Sequence, residues 1–214
     1  MFVADWMTKQ VITVVPDDSV SHAMHAMRER EIKHLPVVRD GAVIGVISDR
    51  DIKTYSPSTA TGLDIYEMNY LLSKATVRDA MGKHLVTTTA DTPIEDAALV
   101  MYEENIGSLP VVDGDVLVGI ITDRDIFRAL VDITGVRHGG HRVCVTVADS
   151  PGTIREVADI VRRHGFNLRG ILTSYEGVPP GSRLVVIRTS TDGDFEALRT
   201  ELQSVYSSVR ISRD

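Results

Sequence analysis

The chain has 214 residues, 43% of them hydrophobic and 25% charged, with one cysteine and a formal net charge of −7. Such a length and composition support two or three soluble compact units with real cores. The acid excess argues against nucleic acid as a main partner, the apolar runs are too short to span a membrane, lone Cys144 excludes an intramolecular disulfide or a cysteine metal cage, and MFVADWMTKQ has no signal-peptide pattern, so a cytoplasmic location is expected.

Along the chain, one plan is written twice. Residues 3–52 overlay residues 77–126 without a gap, with about twenty identities in about fifty positions, a self-similarity that indicates an internal repeat. Shared marks run in one order: Met7/Met81, Thr13/Thr87, Asp17/Asp91, Met27/Met101, LPVV from Leu35 and Leu109, Gly45/Gly119, then ISDRDI (Ile47–Ile52) and ITDRDI (Ile121–Ile126). In each copy the β-branched runs VITVV and LVTTT predict a strand. A helix follows, with Val20, Ala23, Met24 and Met27 on its apolar face in the first copy and Ile94, Ala97, Ala98 and Met101 in the second. TPIE places Thr92 as N-cap with Pro93 at the first helical position. LPVV and the next apolar run form a strand pair about the turns RDG and DGD, and a second helix closes the copy. Copies this small have little core of their own and are expected to bury against each other.

Between the copies, SPSTATG reads as loop, and Leu63 to Lys74 has helical apolar spacing. After the second copy, TGVRHGGH reads as linker; His138 and His141 flank two glycines and make a poor metal site, and His22 and His25 belong to an exposed helix face. From Arg142 the order is strand, helix, strand, strand, helix, strand, the βαββαβ order of ferredoxin-like units. The resulting division is 1–56, 57–75, 76–132, 133–140 and 141–214.

The repeats resemble cystathionine-β-synthase (CBS) domains, which pair into tandem Bateman modules. The resemblance rests on Thr13 and Thr87, on the segments His34-Leu35-Pro36 and Ser108-Leu109-Pro110 leading into Val-Val, and on the phrases with Gly45, Ser48, Asp51 and Gly119, Thr122, Asp125. It implies an α+β fold whose clefts bind AMP, ADP, ATP or S-adenosylmethionine, with or without Mg²⁺ at the phosphates. The aspartates would hold ribose hydroxyls, and Ser48 and Thr122 would lie near the phosphate. Residue chemistry agrees: a carboxylate accepts both hydroxyls of a diol, each charge-assisted bond contributing roughly 1.5–3 kcal/mol. A hydroxyl opening a helix also stands beside unpaired backbone N–H groups that favour phosphate, where Arg50 and Arg124 add charge or simply cover the surface. The same S/T-x-x-D pattern caps a helix with no ligand at all, and both readings stand.

The insert YEMNYLLSK resembles that of acetoin-utilisation regulatory proteins of the AcuB type. VADSPGTI and HGFNL resemble the ACT domain, which implies a homodimer and an amino-acid site at Asp149, Pro151, Gly152 and Asn167; as plain chemistry, D-S-P-G is a turn into a helix with Asp149 as a side-chain acceptor. No P-loop, GxGxxG, HExxH or GxSxG motif is present, so the expectation is a non-enzymatic sensor acting on an unidentified protein. A ligand-free dimerisation adaptor is the alternative.

Overall fold

A computed structural model describes residues 1–55, 70 and 72–213. The chain divides into two compact units, Met1–Ile126 and Phe127–Asp214.

In the first unit, α1 (Val3–Trp6) and α2 (Val20–Glu29) precede the strands β1 (His34–Arg39) and β2 (Ala42–Ser48) and the helix α3 (Asp49–Tyr55). The second copy repeats this as α4 (Val77–Ala80), α5 (Ile94–Glu103), β3 (Ser108–Asp113), β4 (Val116–Thr122) and α6 (Asp123–Ile133), the last ending in the second unit. Both expected hairpins form, and the four strands make one sheet in the order β1-β2-β4-β3. In the first hairpin Asp40 and Gly41 both have positive φ, as the tight primed turn between twisted strands requires. Helix α2 buries Val20, Ala23 and Met27, and α5 buries Ile94, Ala97 and Met101, as their spacing predicts.

The strands expected at VITVV and LVTTT do not form. Each run makes one parallel bridge only, Val14 with Val37 and Thr88 with Val111. The Val14 N–H donates to the Pro36 carbonyl (3.1 Å), and the Val38 N–H donates to the Val14 carbonyl (2.9 Å). The next ladder bonds on either side would need N–H groups from Pro36 and Pro16, which have none. In the second copy Pro110 ends the ladder in the same way on one side. Each copy is thus a short helix and an extended run followed by helix, strand, strand, helix. Thr92 is also not the cap of α5: the helix begins after Pro93, and the Thr92 hydroxyl oxygen instead accepts from the Thr88 hydroxyl (2.9 Å). Of the expected helix at Leu63 to Lys74, residues 63–69 and 71 lie outside the described residues; Leu72 is buried in the first copy's core.

The two copies exchange their leading segments. The Val3 N–H donates to the Thr92 carbonyl (2.9 Å) and the Ala4 N–H to the Ala90 carbonyl (2.9 Å); reciprocally, the Val77 N–H donates to the Asp18 carbonyl (2.8 Å) and the Arg78 N–H to the Pro16 carbonyl (3.0 Å). Val77 of the second copy accordingly sits in the first copy's core with Val20, Leu35, Val37 and Ile47. Each such side chain contributes roughly 1.5–3 kcal/mol by leaving water.

The second unit contains β5 (His141–Ala148), α7 (Thr153–Arg163), β6 (Leu168–Ser174), β7 (Ser182–Thr189), α8 (Phe195–Val205) and β8 (Val209–Arg213). Its sheet runs β6-β7-β5-β8, all antiparallel. Alternate residues Val143, Val145 and Val147 meet Val157, Ile160 and Val161 of α7 and Leu198 and Leu202 of α8 in one core. The segment leading in is held rather than loose: Val136–His138 form a 3₁₀ turn, and the Arg169 guanidinium donates to the carbonyls of His138 and Gly139. His141 is buried against the rings of Phe166 and Phe195.

Candidate ligand-binding site

Strand β2 ends at Ser48 and α3 starts at Asp49, so the DRD phrase turns directly from sheet into helix. There the Ser48 N–H and hydroxyl both donate to Asp51 Oδ2, at 2.8 and 2.6 Å, and the Asp51 N–H donates back to Ser48 Oγ at 3.2 Å. The second copy repeats the first two of these bonds, with the Thr122 N–H and hydroxyl donating to Asp125 Oδ2 at 3.0 and 2.8 Å. Each phrase is therefore a helix cap, worth about 1 kcal/mol. The first cap uses one oxygen of Asp51, so capping and ligand binding are compatible there.

A cleft of about 630 Å³ opens at the first cap, lined by Lys33, His34, Ser48, Asp49, Arg50 and Asp51 of the first copy. The second copy supplies its other wall, including His84, Tyr102, Asn105, Gly107, Ser108 and Asp123. Among the residues expected from the sequence, His34, Ser48, Arg50, Asp51 and Ser108 come together here. Thr122, Arg124 and Asp125 do not line this cleft, and Asp125 is only 8% exposed. Leu35 and Leu109 are fully buried core residues, and Pro36 and Pro110 are buried with their carbonyls accepting the N–H groups of Val14 and Thr88. Thr13 and Thr87 are exposed beside the single bridges and outside the cleft lining.

Sequence reasoning missed Lys33, Asp49, His84, Tyr102, Asn105, Gly107 and Asp123. Asp49 and Asp123 stand inside the repeated phrase and were open to view; the others reach the cleft only because the copies face each other. Burial holds the His34 imidazole below its usual pKa, against the opposing pull of Asp123, Asp49 and Asp51. A hydrogen bond from Lys53 at 2.9 Å holds the Asp49 carboxyl below the usual range.

The four residues proposed for an amino-acid site lie at two ends of the second unit. The Asp149 N–H donates to the Gly181 carbonyl (2.8 Å) near the start of β7, and its carboxylate pairs with Arg183 at 3.1 Å. Its carboxylate thus pairs with a strand, while the N-cap of α7 is Gly152, with φ 95° and no side-chain cap. Pro151 and Gly152 are exposed in the same loop. The Asn167 N–H donates to Ser190 Oγ (2.9 Å) past the far end of β7. That strand of 8 residues separates them by more than about 20 Å at strand rise. No site within one chain gathers all four.

The sequence pattern of the CBS domain matches residues 3–58 and 77–132, more than half of the chain. The chain belongs to the CBS-domain family. It is similar to the uncharacterized protein MJ1225 of Methanocaldococcus jannaschii, 30% identical over 194 residues, covering 86% of this chain and 67% of that one. Among solved structures it resembles the CBS domain pair of protein MJ0100, crystallised with 5′-methylthioadenosine and S-adenosyl-L-methionine: 30% identity, TM-score 0.51, covering 61% of this chain and 95% of that chain. It also resembles a Vibrio cholerae protein described as an acetoin utilization protein (AcuB), at 27% identity and TM-score 0.52, covering 64% of this chain and 95% of that chain. Against several other curated relatives the match spans only 24% to 52% of their own length. Among the described residues no helix is long and apolar enough to cross a membrane.

Proposed function

We propose that this CBS pair is a non-enzymatic, cytoplasmic sensor that binds an adenosine-containing ligand in the cleft at Ser48 and Asp51. The carrying observation is an Asp51 carboxylate, fixed through one oxygen by its own helix cap, on the wall of a cleft large enough for a nucleoside. Asp51 takes the ribose hydroxyls, and Lys33 and Arg50 offer charge to the rest of the ligand. The adenosine ligands crystallised with MJ0100 support the reading. Any Mg²⁺ arrives with phosphates, since no cluster of three or more His, Cys, Asp or Glu stands ready for a metal among the described residues. Thr122 and Asp125 form a cap in the second copy outside this cleft, so a change there serves as the control for it.

The βαββαβ order and antiparallel sheet of the second unit support reading it as a ferredoxin-like ACT domain. It dimerises the chain, and an amino-acid site would need Asn167 of one chain and the Asp149 loop of another. The AcuB likeness supports, at the level of the CBS pair, a role in acetoin metabolism through a regulated protein. Isothermal calorimetry on the full chain tests the central reading: adenosine ligands bind the wild type, Asp51→Ala loses at least about tenfold in affinity, or about 1.4 kcal/mol, and Asp125→Ala binds like the wild type. Equal losses in both variants, or no binding by the wild type, overturn it.

A further inference from the structure

Resting on the adenosine reading, we infer that this cleft selects a ligand whose tail carries both signs of charge, an adenosyl sulfonium with an amino-acid end, over adenosine polyphosphates. The distribution of charge across the two walls carries this. The first copy contributes two exposed permanent cations, Lys33 and Arg50. Among the described residues the second contributes no Lys or Arg to the lining: the 74-residue counterparts of Lys33 and His34 are Gly107 and Ser108, both in the same cleft, and Arg124, the counterpart of Arg50, does not line it.

Three carboxylates line the space, and their states differ. Asp51 is tied to its cap, and Asp49 is paired with Lys53 at 2.9 Å. Asp123 is the counterpart of Asp49, but Phe127 stands where the first copy has Lys53. Among the described residues Asp123 accepts the Arg124 N–H at 2.7 Å and forms no ion pair. It faces the middle of the cleft: a Cβ placed on Gly107 would lie 3.7 Å from Asp123 Oδ2 and 2.9 Å from His34 Nε2. His84, on the same wall, already has Glu104 at 3.7 Å.

The cleft therefore has a cationic wall from one copy and, on the other, a carboxylate that forms no ion pair among the described residues. An amino-acid tail fits both, its carboxylate toward Lys33 and Arg50 and its ammonium or sulfonium toward Asp123. A triphosphate gains from the first wall and is repelled by the second, and a like charge in the wrong place is an effective means of rejection.

Calorimetry on the full chain with adenosine, 5′-methylthioadenosine, AMP, ATP and S-adenosylmethionine tests this. The expected result is S-adenosylmethionine binding at least about tenfold tighter than ATP. Asp123→Asn should shrink that ratio about tenfold, leaving adenosine and 5′-methylthioadenosine within about twofold. Phe127→Lys, an exposed change that supplies the missing lysine one turn along the same helix, should shrink the ratio in the same direction without touching the cap. AMP or ATP binding as tightly as S-adenosylmethionine, or an unchanged ratio in both variants, overturns the selectivity and leaves the adenosine reading standing. No binding by any of the five overturns both.

Discussion

At His34 the folded chain holds a neutral imidazole, because burial outweighs three nearby carboxylates and lowers its pKa. Below about pH 6.5, the ordinary imidazole value, the unfolded chain takes up a proton that the folded chain resists. Stability should fall as pH drops through that value toward the lower folded one, and be insensitive to this residue above it. Urea unfolding at pH 7.5 and pH 5.5 should show a larger loss for the wild type than for His34→Asn; equal losses would show that His34 is not the group responsible. The sequence revealed His34 as the residue that differs from Ser108, but not its burial. The SDRD phrase showed Ser48 and Asp51 because local spacing fixes a cap, while His84 and Gly107 were hidden because they reach the cleft only where the copies face each other.

Among the elements, helices and hairpins were legible, since each follows from its own periodicity and turn residues. The leading runs VITVV and LVTTT misled because β-branched density signals an extended chain, whereas pairing depends on donors, which Pro16 and Pro36 remove in the first copy and Pro110 removes on one side in the second. The exchange of leading segments left no local signal either, yet it explains both repeat glycines. A Cβ on Gly119 would lie 2.5 Å from Met7 Sδ and 3.2 Å from the Thr8 carbonyl oxygen, whereas a Cβ on Gly45 would lie 3.0 Å from Met81 Sδ. Gly119→Ala should therefore destabilise by about 1–3 kcal/mol through overpacking, and Gly45→Ala by less. Adding Met7→Ala to Gly119→Ala should cost less than Met7→Ala alone, because the two changes share one contact. Denaturant midpoints of the four variants test this, and simple additivity would argue against the exchanged packing.

For the whole molecule, the repeat announced the CBS pair, and the change of pattern after His141 announced a second unit with its own core. Two cores of this kind do not guarantee one cooperative transition. If the CBS pair binds ligand and the second unit joins two chains, the two events act on different transitions. Ligand at 100 times its Kd should stabilise the first unit by about 2.7 kcal/mol. For a unit of this size that raises its melting temperature by on the order of 10 °C. Raising protein concentration should shift the second unit's transition, because only association of chains depends on it. Scanning calorimetry of the full chain at two protein concentrations, with and without S-adenosylmethionine, separates these effects. A sensor further requires a cross effect: ligand must change the concentration dependence, and by linkage association must change ligand affinity by the same factor. Two transitions that respond independently would leave a ligand-binding CBS pair attached to a dimerising unit without communication, and would remove the regulatory part of the proposal.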